Sequence, residues 1–136
     1  PEQLIEHVTK FCVNNHSCVN AAIQYGGIAA LDGPEDKLKQ MMEKFSSRRK
    51  LIVDGLNNLN GIKCGLPGGA FYAFPNVKGT GMNGEEFAKK CLHEADVAIV
   101  PGTSFGNFAT DYARFSFAAS NENISRAIEK IDKILK

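Results

Sequence analysis

Over residues 1–60 the apolar positions recur every three or four residues, the period of helices packed on one side. Leu4, Ile5, Val8 and Phe11 mark a short amphipathic helix. A second helical pattern covers about residues 20–31, through Ile23, Ile28 and Leu31. Its run Tyr25-Gly26-Gly27-Ile28-Ala29-Ala30 predicts a tight packing face, because adjacent glycines weaken a helix unless something approaches closely. The third helix is the clearest. Leu38, Met41, Met42, Phe45, Ile52, Leu56 and Leu59 keep helical spacing, Asp32-Gly33-Pro34-Glu35-Asp36 reads as its start, and Asn60-Gly61 as its stop. Spanning about residues 34–60, it would be roughly 38 Å long, more than a small domain needs and suited to bridging two domains.

After residue 60 the period shortens. Ile62-Lys63-Cys64 reads as a short strand, and Ala70-Phe71-Tyr72-Ala73-Phe74 as another, opened by Gly68-Gly69 and closed by Pro75. Residues 78–84 form a Gly-rich loop. Phe87, Cys91, Leu92 and Ala95 mark a helix, and Val97-Ala98-Ile99-Val100 a strand stopped by Pro101-Gly102. Residues 112–118 read as a strand. Ile124, Ala127, Ile128, Ile131, Ile134 and Leu135 are the stripe of a final helix, capped by Ser120 or Asn121. The predicted fold is α/β (α+β): a small mixed sheet covered by helices, with a long interdomain helix.

Composition narrows the partners. The length of 136 residues suits one domain with a real core, and the formal charge of +1 gives no reason to expect nucleic acid or an anionic membrane. No apolar run is long enough to span a bilayer, and no signal peptide is visible. The missing initiator Met suggests a processed or truncated chain, though a Met lost before Pro1 would look the same. Cys12, Cys18, Cys64 and Cys91 form no C-x-x-C pair, and no His lies at ligand spacing from two of them. Buried free thiols of a cytoplasmic protein are expected, with no metal site. His7, His16 and His93 are scattered and read as surface or packing residues.

One side chain stands out. In Tyr112-Ala113-Arg114-Phe115-Ser116-Phe117-Ala118, alternation puts Ala113, Phe115 and Phe117 on one face, and Tyr112, Arg114 and Ser116 on the other. A guanidinium on a rigid strand is suited to grip a carboxylate through two parallel hydrogen bonds. On the strand pattern alone, an Arg paired with an acid of its own chain, or on a solvated face, is the commoner outcome. The loop Val100-Pro101-Gly102-Thr103-Ser104-Phe105-Gly106 follows a strand end, where α/β sheets form ligand crevices, but it also reads as a plain turn. There is no G-x-G-x-x-G or G-x-x-x-x-G-K-S/T, Lys78-Gly79-Thr80-Gly81 reads as a surface loop, and no spacing supports a Ser-His-Asp or Cys-His site.

Four blocks in order resemble the class I/II aminotransferases that depend on pyridoxal 5'-phosphate (PLP), of the aspartate-aminotransferase fold type I. They are Gln24-Tyr25-Gly26-Gly27-Ile28-Ala29-Ala30-Leu31 with Gly33-Pro34; Arg48-Arg49-Lys50 with Gly55-Leu56-Asn57; Pro67-Gly68-Gly69-Ala70-Phe71-Tyr72-Ala73-Phe74-Pro75; and the segments at 100–106 and 112–118. Each is weak alone; the ordered set is specific. The resemblance implies that residues 1–32 end the large domain and that residues 33–136 are the small C-terminal domain. It implies that Arg114 binds the α-carboxylate of an amino acid or 2-oxo acid; Arg49, on the apolar stripe of the long helix between Phe45 and Ile52, reads as a snorkelling or domain-packing residue. The Schiff-base lysine, in an S-K-x…G-x-R motif, and the Asp that pairs the cofactor's pyridine nitrogen would precede Pro1. The chain would then hold no catalytic or cofactor-binding residue, would be inactive alone, and would work beside an N-terminal PLP-binding domain in a homodimer. Ser17-Cys18-Val19 and Cys12-Val13-Asn14 depart from the pattern, lacking the usual Asn-Pro and the Arg of one dicarboxylate-specific subgroup, which leaves aspartate specificity open. A PLP-dependent lyase of the same fold, a non-catalytic carboxylate-binding module and a dimerisation piece are the rival readings. With much of a dimer interface absent, residues 1–45 are expected to expose apolar surface.

Overall fold

A computed structural model describes all residues, 1–136. The chain divides into two compact units, Pro1–Leu38 and Lys39–Lys136.

The first unit is helical. Helix α1 spans Glu2–His16 and α2 spans Ala21–Asp32, with Asn20 as N-cap accepting a bond from the Ala22 N–H at 2.8 Å. Neither helix has a buried residue, and Leu4, Ile5, Val8, Phe11, Ile23 and Ile28 are all exposed. The face expected at Gly26 and Gly27 is also open: nothing lies within 4 Å of where a Cβ would stand on either.

Helix α3, Asp36–Asn57, begins just before the division between the units. It starts slightly later than the pattern suggests, after an extended Gly33 (φ −74°, ψ 168°) that separates it from α2. It also stops earlier, at Asn57 rather than at residue 60. There the Asn57 amide turns outward and pairs with both backbone groups of Cys64, donating to its carbonyl at 2.9 Å and accepting from its N–H at 2.8 Å. The reversal then passes through Gly61, at φ +79°, whose backbone abuts that of Gly79 so closely that no side chain fits between them.

Three strands form the sheet: β1 (Tyr72–Ala73), β2 (Val100–Pro101) and β3 (Ala113–Ser116), in the order β1-β3-β2. Helix α4, Gly84–Ala95, lies between β1 and β2 in sequence, and α5, Asn121–Ile134, follows β3. The α/β class expected from the sequence is what forms. Its sheet, however, is antiparallel rather than mixed. β1 and β2 run parallel to each other across α4, but β3 is inserted between them and pairs antiparallel with both. The strands are also shorter than the apolar runs suggested. Ile62-Lys63-Cys64 is reduced to one bridge, Lys63 to Asn76, because Cys64 is already held by Asn57. Of residues 97–100 only Val100 pairs, since β3 offers a partner only from Arg114 and Ala113.

One core unites the second unit. It takes Ile52, Val53 and Leu56 from α3, Phe87, Cys91 and Ala95 from α4, Ala73, Ala113 and Phe115 from the strands, and Ile124 and Ile131 from α5. The alternation read from residues 112–118 holds: Ala113, Phe115 and Phe117 are buried, while Arg114 is half-buried and Ser116 exposed on the other face. The cysteines divide. Cys64 and Cys91 are buried free thiols as expected, but Cys12 and Cys18 are exposed, because their helical unit has no core of its own.

Candidate functional site around Arg114

Arg114 occupies the central strand because β3 can bury a residue on one side only. Its neighbours Ala113 and Phe115 point into the core, which turns the guanidinium to the opposite face. Register then decides what it meets. Tyr72 stands opposite Ser116, two residues from Arg114 and on the same face. On the other edge Val100 stands opposite Arg114, and the chain continues from β2 into a 3₁₀ turn, Gly102–Phe105. The turn is tied to β3 by the Gly102 N–H, which donates to the Tyr112 carbonyl at 2.8 Å. Gly106 ends it at φ +126°, a conformation few other residues adopt.

The guanidinium carbon of Arg114 therefore lies over two rings, 4.3 Å from the Tyr72 centroid and 4.7 Å from that of Phe105. The rings are braced in turn. Phe74 meets Phe105 edge-on at 5.8 Å and 88°, and stacks on Tyr112 at 5.3 Å and 13°. Phe71 lies 4.5 Å from Tyr72.

Arg114 forms no ion pair with an Asp or Glu of the chain. The chain's other arginines are engaged differently. Arg48 lies 5.6 Å from the Phe45 ring, Arg49 donates to the Pro67 carbonyl at 3.1 Å, and Arg126 donates to the Asn123 side chain at 2.8 Å. Arg49 thus fastens the segment after Cys64 to α3. Of the outcomes open at Arg114 on pattern alone, pairing with an acid of its own chain is the one the structure removes. The fork of N–H donors is left for an external acceptor, and a planar carboxylate matches it in geometry and charge.

Reasoning from sequence singled out Arg114 but not the two rings beside it. Tyr72 and Phe105 lie 42 and 9 residues away, and only the strand register brings them to it. Their presence inside two of the four ordered blocks was the available signal. The Gly-rich segment is a short 3₁₀ turn, Lys78–Thr80, followed by Gly81 in a left-handed conformation and by Asn83, the N-cap of α4. No group of three or more His, Cys, Asp or Glu gathers as a metal site would require, and no helix is long and apolar enough to cross a membrane.

Comparison with known proteins places this geometry. The model of the family "Aminotransferase class I and II" matches residues 2–131. An aspartate aminotransferase of Pyrococcus horikoshii is 39% identical over 138 residues, covering 100% of this chain and 35% of its own length. An aromatic-amino-acid aminotransferase of Thermococcus litoralis is 34% identical with the same coverage. Among solved structures, an aromatic aminotransferase from Pyrococcus horikoshii superposes with a TM-score of 0.90 at 35% identity, over 99% of this chain and 36% of that one. An aspartate aminotransferase from Rhizobium meliloti gives 0.88 at 33% identity, over 99% and 36%. The chain spans about a third of the length of these relatives. Matched along almost all of its own length in both sequence and fold, this chain belongs to the class I and II aminotransferase family.

Proposed function

We propose that this chain is the C-terminal part of a PLP-dependent aminotransferase, and that Arg114 holds the α-carboxylate of its amino acid or 2-oxo acid substrate. Residues 33–136 would be the small domain and residues 1–32 the end of the large one. The observation that carries the reading is a half-buried guanidinium on the central strand, flanked by two rings and paired with no acid of its own chain. A carboxylate gripped by two parallel hydrogen bonds fixes where the adjacent carbon stands, and with it the amino group to be transferred.

The groups at Arg114 do not suit PLP itself. The cofactor needs a lysine amine for its aldehyde and converging donors for its phosphate; what faces this guanidinium is aromatic, and no Ser-Lys pair occurs in the chain. The catalytic lysine, the partner of the pyridine nitrogen and the phosphate cup are assigned to the rest of the parent protein, a homodimer in this reading. The cofactor bound there supplies the electron sink for moving an amino group. This chain contributes orientation, and by itself it is inactive.

In the parent enzyme, Arg114→Ala should weaken substrate binding by about 2–4 kcal/mol, roughly a 30- to 1,000-fold rise in KM, with a smaller effect on kcat. An unchanged KM overturns the assignment. The coding sequence upstream of Pro1 is a second check: Ser-Lys followed within a short stretch by Gly-x-Arg supports the reading, and an unrelated domain there sinks it. A 2-oxo acid product together with a transferred amine separates an aminotransferase from a lyase of the same fold.

A further inference from the structure

We infer that Tyr72 and Phe105 are positioning residues: their rings hold the Arg114 guanidinium so that only its edge of N–H donors is presented, and the site takes a planar carboxylate in preference to a tetrahedral anion. This rests on the carboxylate-binding role of Arg114 and deepens it.

The donors of a guanidinium lie in its plane, and its faces carry none. A ring over such a face attracts the cation without consuming a donor. At Arg114 the two rings come from opposite edges of β3, Tyr72 from β1 and Phe105 from the turn after β2, with their centroids 4.3 and 4.7 Å from the guanidinium carbon. Each ring is braced by a further ring, Phe105 by Phe74 edge-on and Tyr72 by Phe71 at a tilt. An Asp or Glu in the same place would also hold the arginine, but it would occupy the fork and compete with the substrate. Rings restrain the long side chain and leave the fork free. Two oxygens of a carboxylate lie in one plane and meet two in-plane donors. A phosphonate spreads its oxygens around a tetrahedron and directs at least one toward an aromatic face, where it finds no donor.

The test is made in the full-length parent enzyme. KM and kcat for the amino acid substrate, and inhibition by its aminophosphonate analogue, are measured for Arg114→Ala, Tyr72→Leu, Phe105→Leu and Tyr72→Phe. Each Leu variant is also combined with Arg114→Ala. Each Leu variant should raise KM about 3- to 10-fold, the span of a partly desolvated cation–π contact, with kcat within about twofold. Tyr72→Phe should retain the KM, since the ring and not the hydroxyl acts. The preference for carboxylate over phosphonate should narrow, and the Leu changes should add nothing once Arg114 is gone. If Arg114→Ala raises KM while both Leu variants keep the original KM and anion preference, the clamp is overturned and the carboxylate assignment stands. If the Leu variants lose as much without Arg114 as with it, the rings act on substrate directly, and the positioning role fails. If Arg114→Ala changes nothing, the underlying assignment fails first. Thermal melting checks each fold, and Phe105, 41% exposed, can be truncated without opening the core, so it carries the test should Tyr72→Leu unfold.

Discussion

At the scale of single residues, burial sets the chemistry of Cys91 as firmly as two neighbouring rings set the surroundings of Arg114. The Cys91 thiol is fully enclosed between α4 and the sheet, and burial pushes its pKa from 9.0 up to about 12. Burial raises Cys64 as well, against a smaller opposing effect of a backbone hydrogen bond at Phe74. A thiol whose folded pKa is raised is stabilising in its neutral form. Its contribution is therefore complete below about pH 9 and is lost as the pH climbs toward 12. The thermal midpoint of the chain should fall across that window, and Cys91→Ala should flatten the fall while lowering the midpoint at neutral pH; a parallel fall in both proteins would refute the attribution. Iodoacetamide should label Cys12 and Cys18 well before Cys64 and Cys91, as peptide mass mapping would show. Strand alternation singled out Arg114 as a charge with apolar neighbours on either side, but that pattern favoured an ion pair within the chain or a solvated face, and only the ordered blocks gave it a role. Its surroundings were not legible, since no local pattern states which distant ring a strand register will bring alongside.

Among the elements, α4 shows how much of a helix is written at its start. Asn83 accepts from the N–H groups of Glu85 and Glu86 at 2.9 and 3.0 Å, and the Glu86 carboxylate accepts from the Asn83 N–H at 2.9 Å, a reciprocal capping box. Asn83→Ala should cost about 1 kcal/mol, read as a lowered midpoint in urea with an unchanged slope. Helices of this kind are legible because their period, caps and breakers lie within a few residues of one another, and α1, α2, α4 and α5 form close to where the apolar spacing puts them. The strands are less so. Residues 62–64 and 97–100 carry strand-like apolar runs, yet pairing needs a partner edge, and β3 is only four residues long. The end of α3 was misplaced for a related reason. Asn57 does not look like a terminator until Cys64, seven residues on, returns to bond with its amide.

For the whole molecule, the core is confined to the second unit: its buried members run from Ile52 to Ile131. Removing residues 1–38 should leave a cooperative thermal transition within a few degrees of the original by calorimetry. The full chain should associate more strongly in sedimentation velocity than the shortened one, because Leu4, Ile5, Val8 and Phe11 expose half or more of their surface. Loss of the transition in the shortened chain would show that the first unit supports the second. The α/β class was readable at this scale, whereas the strand order was not, because nothing in the apolar pattern says that the last strand is inserted between the first two. That insertion has a consequence for synthesis. β1 leaves the ribosome some 44 residues ahead of Ser116, the end of the only strand it pairs with. At roughly 5–20 residues per second, its edge waits about 2–9 s with nothing to bond to. The sheet, with Arg114 on its central strand, assembles only once the chain through Ser116 has been made, so a ribosome stalled before Ser116 releases helices and loose strands but no sheet.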